Sequence, residues 1–282
     1  MGTTSRQKHP LNVHPLSADR REGASARGPA PPGRDASTTT TTSFSRKERD
    51  RRIERVELLD SLADKRDQFR DKNKYYYDEI QRLAEFFVPP GKRILEIGCS
   101  TGHLLASLRP SRGVGVDLSP RTIELARQHH PRLEFHIGDA EDLDLDGEVF
   151  DYVILSDVVG YLDDVWAAFR SLRKVMQPSS RLLVTTYNFV WEPILKLGAS
   201  LGRKMPVPEQ NWLGHQDLVN LLALNSLEVV KSGESTLVPA QIPMVSRLAN
   251  RYLARAPGLR HFSLVQYFLA KPTWFDEAAA KP

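Results

Sequence analysis

Four acidic residues stand at or just beyond the ends of apolar, strand-like runs, where a carboxylate can meet a ligand. The runs cover residues 93–97, 114–116, 133–137 and 152–155, and the acids are Glu96, Asp117, Asp139 and Asp157. Because open parallel sheets bind ligands at the carboxyl ends of their strands, we expect these four side chains to line one crevice. A ring of negative charge repels a pyrophosphate and suits a ligand with ammonium, sulfonium and ribose hydroxyl groups. This chemistry favours S-adenosylmethionine over a nicotinamide dinucleotide.

A glycine turn follows the first of these runs and determines how a ligand would be approached. Residues 94–105 read ILEIGCSTGHLL, in which Gly98 and Gly102 bracket a tight turn between a strand and a short helix that Pro110 stops. Such a turn points the free N–H groups and the positive end of a helix at a ligand. The spacing is G-x-x-x-G, with Ser100 in the middle, rather than the G-x-G-x-x-G of dinucleotide sites. The acid expected about 20 residues later for a ribose is present as Asp117, so a nicotinamide-dependent reductase stays open.

Four short motifs in register carry a resemblance to a known family. They are E-I-G-C-S-T-G, V-G-V-D-L-S, G-D-A-E-D-L and F-D-Y-V-I-L-S-D. In this order and spacing they resemble the first four motifs of class I S-adenosylmethionine-dependent methyltransferases. The resemblance implies an α/β fold, a Rossmann-like, seven-stranded and mostly parallel sheet with helices on both faces. A non-catalytic module that binds the same cofactor would keep these motifs and is a second alternative.

The resemblance also implies a set of cofactor contacts. Glu96, Gly98 and Gly102 would serve the methionine end, Asp117 the ribose, Asp139 and Ala140 the adenine, and Ser156 the crevice floor. The family often closes the cleft with the helix before the first strand, which here contains three consecutive tyrosines, and Tyr76 or Tyr77 would face the cofactor. The complete predicted set is Tyr76, Glu96, Gly98, Cys99, Ser100, Gly102, Asp117, Leu118, Asp139, Ala140 and Ser156.

Candidates for chemistry on the acceptor follow the fourth and later strands. Tyr161, Tyr187 and His215 are the predicted catalytic residues, with Glu192 as a further candidate base, although no single one of them must act as the base. Residues 191–210 form an insertion that would be either an apolar lid over the acceptor or a surface flap. His129 and His130 have no third metal ligand nearby in sequence, so no metal site is predicted.

The identity of the acceptor is suggested only by a closer resemblance. Residues 75–272 resemble the methyltransferase portion of bacterial proteins that carry a glycosyltransferase alongside, through pieces such as Y-Y-Y-D-E-I and N-F-V-W-E-P. This implies a glycan or glycolipid acceptor and a glycosyltransferase partner. A small molecule or a lipid remains an alternative acceptor, and no specific nucleic acid partner is expected.

Composition divides the chain into three parts. Residues 1–50 are rich in Pro, Gly, Ser and Thr and should be disordered, 51–90 form a helical extension and cofactor lid, and 91–275 form the methyltransferase domain. The tail alone holds nine Lys and Arg against five Asp and Glu, which accounts for the net charge of +4. The single cysteine, Cys99, indicates a reducing compartment, for which the cytoplasm is the expectation. No apolar run is long enough to span a bilayer.

One further helix is predicted at 242–256, where three arginines fall on one face. Arg247, Arg251 and Arg255 are spaced by four residues beside an apolar face. This pattern is typical of an ordinary packing helix with a solvated basic face. It also suits a peripheral contact with an anionic membrane surface.

Overall fold

The structure, a computed structural model, describes residues 46–205, 210–237, 250, 258 and 260–274. The predicted disordered tail lies outside the described residues except at 46–50, which are helical. The predicted basic helix with Arg247, Arg251 and Arg255 also lies outside the described residues. In the part of the chain that is described, no helix is both long and apolar enough to cross a membrane.

A twisted sheet organises the described residues, and its strands form where the sequence has short apolar runs. The strands are β1 (Arg93–Ile97), β2 (Arg112–Asp117), β3 (Glu134–Ile137), β4 (Phe150–Ser156), β5 (Met176–Tyr187), β6 (Leu227–Ser235) and β7 (Val265–Pro272). Their order is β3-β2-β1-β4-β5-β7-β6. The first five strands are mutually parallel, whereas β7 runs antiparallel to both β5 and β6. The predicted seven-stranded, mostly parallel sheet is thereby confirmed.

Helices cover both faces of this sheet, as predicted. They are α1 (Arg46–Ala63), α2 (Arg66–Lys72), α3 (Lys74–Phe87), α4 (His103–Ser107), α5 (Pro120–His129), α6 (Val165–Ser171), α7 (Glu192–Ser200) and α8 (His215–Leu224). Side chains of α6 and α8 pack with Leu95 and Ile97 on one face. Side chains of α3, α4 and α5 pack with Ile94 and Ile154 on the other. The alternation along β1 follows from the two-residue repeat of a strand, and burial of both faces explains its nearly continuous apolar sequence.

Local sequence signals fix where the helices near the sheet edge begin. Ser119 caps α5 by accepting a hydrogen bond from the backbone N–H of Thr122 at 3.1 Å, and Pro120 is the first helical residue. Asp164 caps α6 in the same way through Ala167 at 2.9 Å. These caps end the connections that follow β2 and β4 at defined points, so the residues between strand and helix have little freedom.

Gly102 combines a left-handed backbone with a tightly packed surrounding. Its φ is +80°, and a Cβ placed there would lie 2.6 Å from Cζ of Phe135. Gly147 has a similar φ of +74°, yet a Cβ there would meet nothing within 4 Å. The two glycines therefore share the same backbone requirement and differ in the available space.

We expect Gly102→Ala to destabilise the protein clearly more than the matched control Gly147→Ala. The control should lose about 1–2 kcal/mol for placing a side chain in the left-handed region. Gly102→Ala should lose a further ~1–3 kcal/mol, because the Phe135 ring must shift within a packed core. Denaturant unfolding of both variants measures the difference. Equal losses would show that the turn tolerates a side chain against Phe135.

Candidate functional site

The carboxyl ends of the four central strands meet at one border of the sheet, here called the carboxyl edge. Ile97 lies in register with Val116 of β2 and with Leu155 of β4, and Asp117 lies in register with Ile137 of β3. Parallel pairing in this register brings the segments after these strands next to one another. The four predicted acids are thus all carried by neighbouring strand ends.

Glu96 is buried beneath the glycine turn and caps the helix that follows it. Its side chain is only 3% exposed, and one carboxylate oxygen accepts a hydrogen bond from the backbone N–H of Leu105 in α4 at 3.0 Å. Burial raises the pKa of Glu96 to about 8; the Leu105 bond opposes this rise and the nearby Asp117 charge adds to it. A cation near this carboxyl would favour its ionised form.

Asp117 fixes the backbone of the glycine turn from the end of β2. Its two carboxylate oxygens accept hydrogen bonds from the backbone N–H groups of Ser100 and Ser119, each at 3.0 Å. Ser100, the departure from the family motif, has a φ of +50°, and Gly98 before it has a φ of +71°. Because an ionised carboxylate offers about four acceptor positions, Asp117 retains capacity for the hydroxyls of a ribose.

Asp139 and Ala140 lie at the corresponding place after β3. The Asp139 carboxylate accepts a hydrogen bond from the backbone N–H of Glu141 at 2.9 Å and so caps a short 3-10 turn. Ala140 is buried, and its carbonyl accepts a hydrogen bond from Ser171 of α6 at 2.6 Å. The backbone beside the expected adenine position is therefore tied to a helix of the core.

Helices α1 and α2 lie across the carboxyl edge and pair with it through charged groups. Arg52 of α1 forms an ion pair with Asp139 at 2.6 Å. Asp60 accepts a hydrogen bond from the hydroxyl of Ser119. Arg66 of α2 donates to the Ser100 hydroxyl at 3.1 Å. The sequence predicts an extension and lid at residues 51–90. The high charge of α1 does not indicate which strand ends its side chains contact.

A second polar cluster lies after β4 and β5, on the acceptor side of the glycine turn. Tyr76 of α3 is buried, stacks on Tyr187 with ring centroids 5.7 Å apart, and donates its hydroxyl hydrogen to Asp157. Thr185 donates to the other oxygen of Asp157 at 3.1 Å. Burial raises the pKa of Asp157, although both hydrogen bonds oppose the rise. We call Tyr76, Asp157, Thr185 and Tyr187 the acceptor-side cluster.

Two residues of the insertion extend this cluster and are not indicated by any sequence motif. The ammonium of Lys204 lies 4.9 Å from the centre of the Tyr187 ring, and burial lowers the pKa of Lys204. Gln210 accepts a hydrogen bond from the hydroxyl of Tyr161 at 3.3 Å. A cavity of about 430 Å³ lies between α1 and Tyr161 and is also lined by Asn211. From the sequence alone, residues 191–210 could be predicted only to form a lid or a flap, because Lys204 and Gln210 contact residues that are distant in the chain.

The predicted catalytic tyrosines contact residues of the cluster and of the insertion, Tyr187 through Tyr76 and Tyr161 through Gln210, and their chemistry is that of hydrogen-bond donors. Burial raises the pKa of both Tyr161 and Tyr187, with the Asp157 charge as the next cause. Their hydroxyl groups are therefore protonated at neutral pH, which suits positioning of an acceptor better than removal of its proton. His215 lies elsewhere, with its ring 4.7 Å from that of Phe268 and its Nε2 3.4 Å from the hydroxyl of Ser232.

The remaining predicted residues have mostly structural contacts. Glu192 pairs with Lys196 within α7 at 2.6 Å. Ser156 shares a hydrogen bond with Thr185 at 3.3 Å, next to the acceptor-side cluster. Cys99 is buried, with a thiol pKa raised well above its usual value by burial. Leu118 is half-buried between Asp117 and the start of α5.

An apolar strip extends from the acceptor-side cluster to the surface. Trp191 donates its indole N–H to the carbonyl of Phe262 at 2.7 Å and packs with Tyr76 and Tyr187. In the segment that follows, Leu195 packs inward, whereas three apolar side chains lie in solvent, with exposed fractions of 55% for Ile194, 59% for Leu197 and 66% for Leu201. We call this exposed row, together with Phe189 and Phe262, the α7 strip; exposed apolar surface of this kind is typical of interaction sites.

Comparison with known proteins agrees with this geometry. Residues 95–184, from β1 to β5, match the sequence model of the family described as "Methyltransferase domain". Over these 90 residues the chain is similar to a methyltransferase domain. The match covers the glycine turn and the strand ends that carry Asp117, Asp139 and Asp157.

Relatives and solved structures are similar over different extents. The chain is 40% identical over 90 residues to a phthiotriol/phenolphthiotriol dimycocerosates methyltransferase of Mycobacterium leprae, covering 30% of this chain and 33% of that protein. It is 26% identical over 194 residues to a methyltransferase of the same description from Mycobacterium ulcerans, covering 66% and 68%. The chain thus spans a third of the length of one curated relative and about two thirds of the other.

The fold has clear counterparts among solved structures. A crystal structure of an S-adenosylmethionine-dependent methyltransferase from Thermotoga maritima superposes with a TM-score of 0.60 at 17% identity, covering 77% of this chain and 98% of that one. The described sheet and its helices therefore have the Rossmann-like fold of such methyltransferases.

Glu96 makes the binding of a cationic cofactor dependent on pH. Burial raises its pKa to about 8, so the carboxyl is mostly protonated at pH 7. A bound ammonium or sulfonium favours the carboxylate, so binding should release a proton, and affinity for S-adenosylmethionine should rise as pH increases from 6 to 8, by at most about tenfold per unit.

Calorimetry in buffers of different ionisation enthalpy measures this proton release. Glu96→Gln is the matched control, because the ligand's own amino group titrates equally in both proteins and the difference isolates Glu96. An identical pH dependence in the variant and in the parent protein would contradict a cation at this carboxyl.

Proposed function

We propose that this protein transfers a methyl group from S-adenosylmethionine to an oxygen atom of an apolar, lipid-like acceptor. The observation that carries the proposal is the pairing of two sites across the end of the sheet. Carboxylates at the ends of β1, β2 and β3 suit a cationic nucleoside. The acceptor-side cluster and the α7 strip lie beside them, after β4 and β5.

The residues of the carboxyl edge fit the cofactor. Asp117 would accept hydrogen bonds from the ribose hydroxyls, Asp139 and Ala140 would lie beside the adenine, and Glu96 would become negatively charged beside the bound cation at the methionine end. The cofactor supplies an electrophilic methyl group on a sulfonium. Helices α1 and α2 would close over it, and their displacement of water would strengthen each polar contact.

Arg52 and Arg66 support this role for α1 and α2. Their guanidinium groups contact Asp139 and Ser100, which belong to the predicted cofactor set. A cationic ligand that paired with Asp139 would compete with Arg52 there, and Arg52 would keep its contact with Glu141 at 3.1 Å.

Asp157 is the residue best placed to accept a proton from an acceptor hydroxyl. A hydroxyl group is a weak nucleophile at neutral pH and benefits from a base, whereas a free amine needs none. Burial raises the pKa of Asp157, which makes it a stronger base than an exposed aspartate. Tyr76 and Thr185 hold its two oxygens, while Tyr187 and Lys204 complete the surroundings. Oxygen is therefore the atom that this arrangement suits best.

The α7 strip supports an apolar acceptor. Ile194, Leu197 and Leu201 project into solvent from the segment that follows Trp191, whose ring packs against the acceptor-side cluster. Hydrocarbon chains would gain about 25 cal/mol for each Å² of apolar surface that they cover there. Both curated relatives are described as acting on dimycocerosates, which agrees with a lipid acceptor.

A glycolipid acceptor would also fit the acceptor-side cluster and the α7 strip. The resemblance of residues 75–272 to methyltransferase portions that accompany a glycosyltransferase implies a sugar hydroxyl as the methylated group. A sugar at the acceptor-side cluster with its lipid chain along the α7 strip would use both features. Action beside a glycosyltransferase partner belongs to this version of the proposal.

Calorimetry tests the cofactor. The full chain should bind S-adenosylmethionine and not NADH, and Asp117→Ala should weaken binding by about 1–3 kcal/mol through loss of a charged hydrogen-bonding partner. Asp151→Ala is the matched control, because Asp151 also accepts a backbone N–H, from Arg93 at 2.9 Å, but at the opposite end of the sheet. Binding of NADH, or equal losses in the two variants, would contradict the assignment.

A labelled-methyl screen tests the acceptor and the base. Cell extract is divided into lipid, glycan and small-molecule pools, and label from S-adenosylmethionine should enter the lipid pool. Asp157→Asn should lower this transfer by about 10²- to 10⁴-fold while leaving cofactor affinity unchanged, since the amide keeps the shape but cannot take a proton. Asp142→Asn, at an exposed ion pair with Lys174, should have no effect.

The screen also separates the alternatives. Label in the small-molecule pool alone would contradict a lipid acceptor. Full transfer by Asp157→Asn would exclude Asp157 as the base. Cofactor binding without labelling of any pool would favour a non-catalytic binding module.

A further inference from the structure

A cluster of metal-ligating side chains joins α2 to the helices that flank the glycine turn. Asp67 lies on α2, His103 is the first residue of α4, and His129 is the last residue of α5. One ligand atom from each of these residues lies within 4.8 Å of the other two. We propose that Asp67, His103 and His129 bind a divalent transition metal ion of the zinc class, which clamps α2 onto the glycine turn.

Distances within the cluster agree with a small tetrahedral site. Oδ1 of Asp67 is 3.2 Å from Nε2 of His103, and Oδ2 of Asp67 is 3.5 Å from Nδ1 of His129. In a tetrahedral zinc site with bonds of about 2.0–2.2 Å, neighbouring ligand atoms are about 3.3–3.6 Å apart. A small rotation of the carboxylate and of the His129 ring would bring one atom of each residue to a common centre.

The surroundings supply the kind of support that metal ligands need. Thr101 donates its hydroxyl hydrogen to Asp67 Oδ1 at 2.9 Å, which orients the carboxylate. His129 ends α5, where the helix dipole favours positive charge. The His130 ring lies 5.0 Å from that of His103, and its buried Nε2 has no hydrogen-bond partner within the described ranges. An imidazole nitrogen without a partner thus lies next to the three ligands.

One neighbouring charge opposes a cation at this place. The Arg70 guanidinium, one turn after Asp67 on α2, acts electrostatically on His103 and His130. Three protein ligands and one nearby positive charge suit an exchangeable site rather than a permanent structural one. Removal of this charge by Arg70→Gln should therefore tighten metal binding.

The sequence could not indicate this site. His129 and His130 have no further ligand nearby in the chain, and the other two ligands, Asp67 and His103, come from α2 and α4. Only the packing of α2 against the glycine turn brings Asp67 to the histidines. The inference concerns α2 and the metal alone and does not depend on the proposed methyl transfer.

Metal titration of the full chain, purified without an affinity tag and treated with a chelator, tests the proposal. Co²⁺ serves as the probe, because tetrahedral coordination gives it strong visible absorption, and Zn²⁺ should displace it. We expect one ion per chain. Asp67→Asn and His103→Gln should each weaken binding at least tenfold, whereas Arg70→Gln should strengthen it. Circular dichroism of each variant confirms that it is folded.

His261→Gln is the matched control, because His261 is an exposed histidine that also lies near an acid, with its Nδ1 4.0 Å from Glu234. It should bind the ion as the parent protein does. Absence of Co²⁺ and Zn²⁺ binding by the parent protein would overturn the proposal. Binding that survives in both Asp67→Asn and His103→Gln would also overturn it, since the ion would then be held elsewhere in the chain.

Hydrogen exchange tests the clamp directly. Zn²⁺ should slow amide exchange in Arg66–Lys72 of the parent protein and leave the exchange of these residues unchanged in folded His103→Gln. Equal exchange in the parent protein with and without bound Zn²⁺ would show that the ion does not hold α2, and the clamp would be refuted.

Discussion

Buried carboxyl groups at the carboxyl edge are the constraint on which the rest of this structure depends. Glu96 and Asp117 lie close together in an environment that excludes most water, where an unpaired carboxylate is costly. The chain compensates with backbone N–H groups, from Leu105 for Glu96 and from Ser100 and Ser119 for Asp117. The same bonds that stabilise the acids fix the glycine turn and the starts of α4 and α5. The same hydrogen bonds therefore determine both the shape of the glycine turn and the place at which a cation would bind.

The high charge of the N-terminal helices α1 and α2 is explained by the same carboxyl groups. Helix α1 is too polar to be held by a hydrophobic face alone, and it contacts the domain through Arg52, Asp60 and further charged side chains. These contacts place guanidinium groups beside acids that would otherwise face solvent unpaired. Partly exposed ion pairs are individually weak, on the order of 0–1 kcal/mol. The N-terminal helices, which form a cover over the carboxyl edge, are therefore held in place and can still be displaced. A cover of this kind suits a site that must admit and release a charged ligand.

The sequence predicted the part of the fold that depends on local patterns. The runs ending at Glu96, Asp117 and Asp157 became neighbouring strands because burial on both faces of a parallel sheet requires continuous apolar segments. Ser119 and Pro120 marked the start of α5 through capping chemistry that acts over three residues. The position of α1 and α2, the approach of Lys204 to Tyr187, and the meeting of Asp67 with His103 could not be predicted. Each depends on contacts between segments that are distant in the chain, and neither hydrophobic periodicity nor a sequence motif indicates such contacts.

Ser100 and His215 show how much the surroundings of a residue add to its type. Ser100 departs from the glycine that the family prefers, yet it adopts the left-handed conformation and uses its hydroxyl to accept a hydrogen bond from Arg66. The departure therefore adds a contact to the cover instead of weakening the turn. His215 has the side chain most often used as a base, but its ring packs on Phe268. Asp157 is an ordinary acid by residue type, but burial raises its pKa, and Tyr76 of α3 donates a hydrogen bond to it, so a helix that precedes the sheet in the chain orients the proposed base.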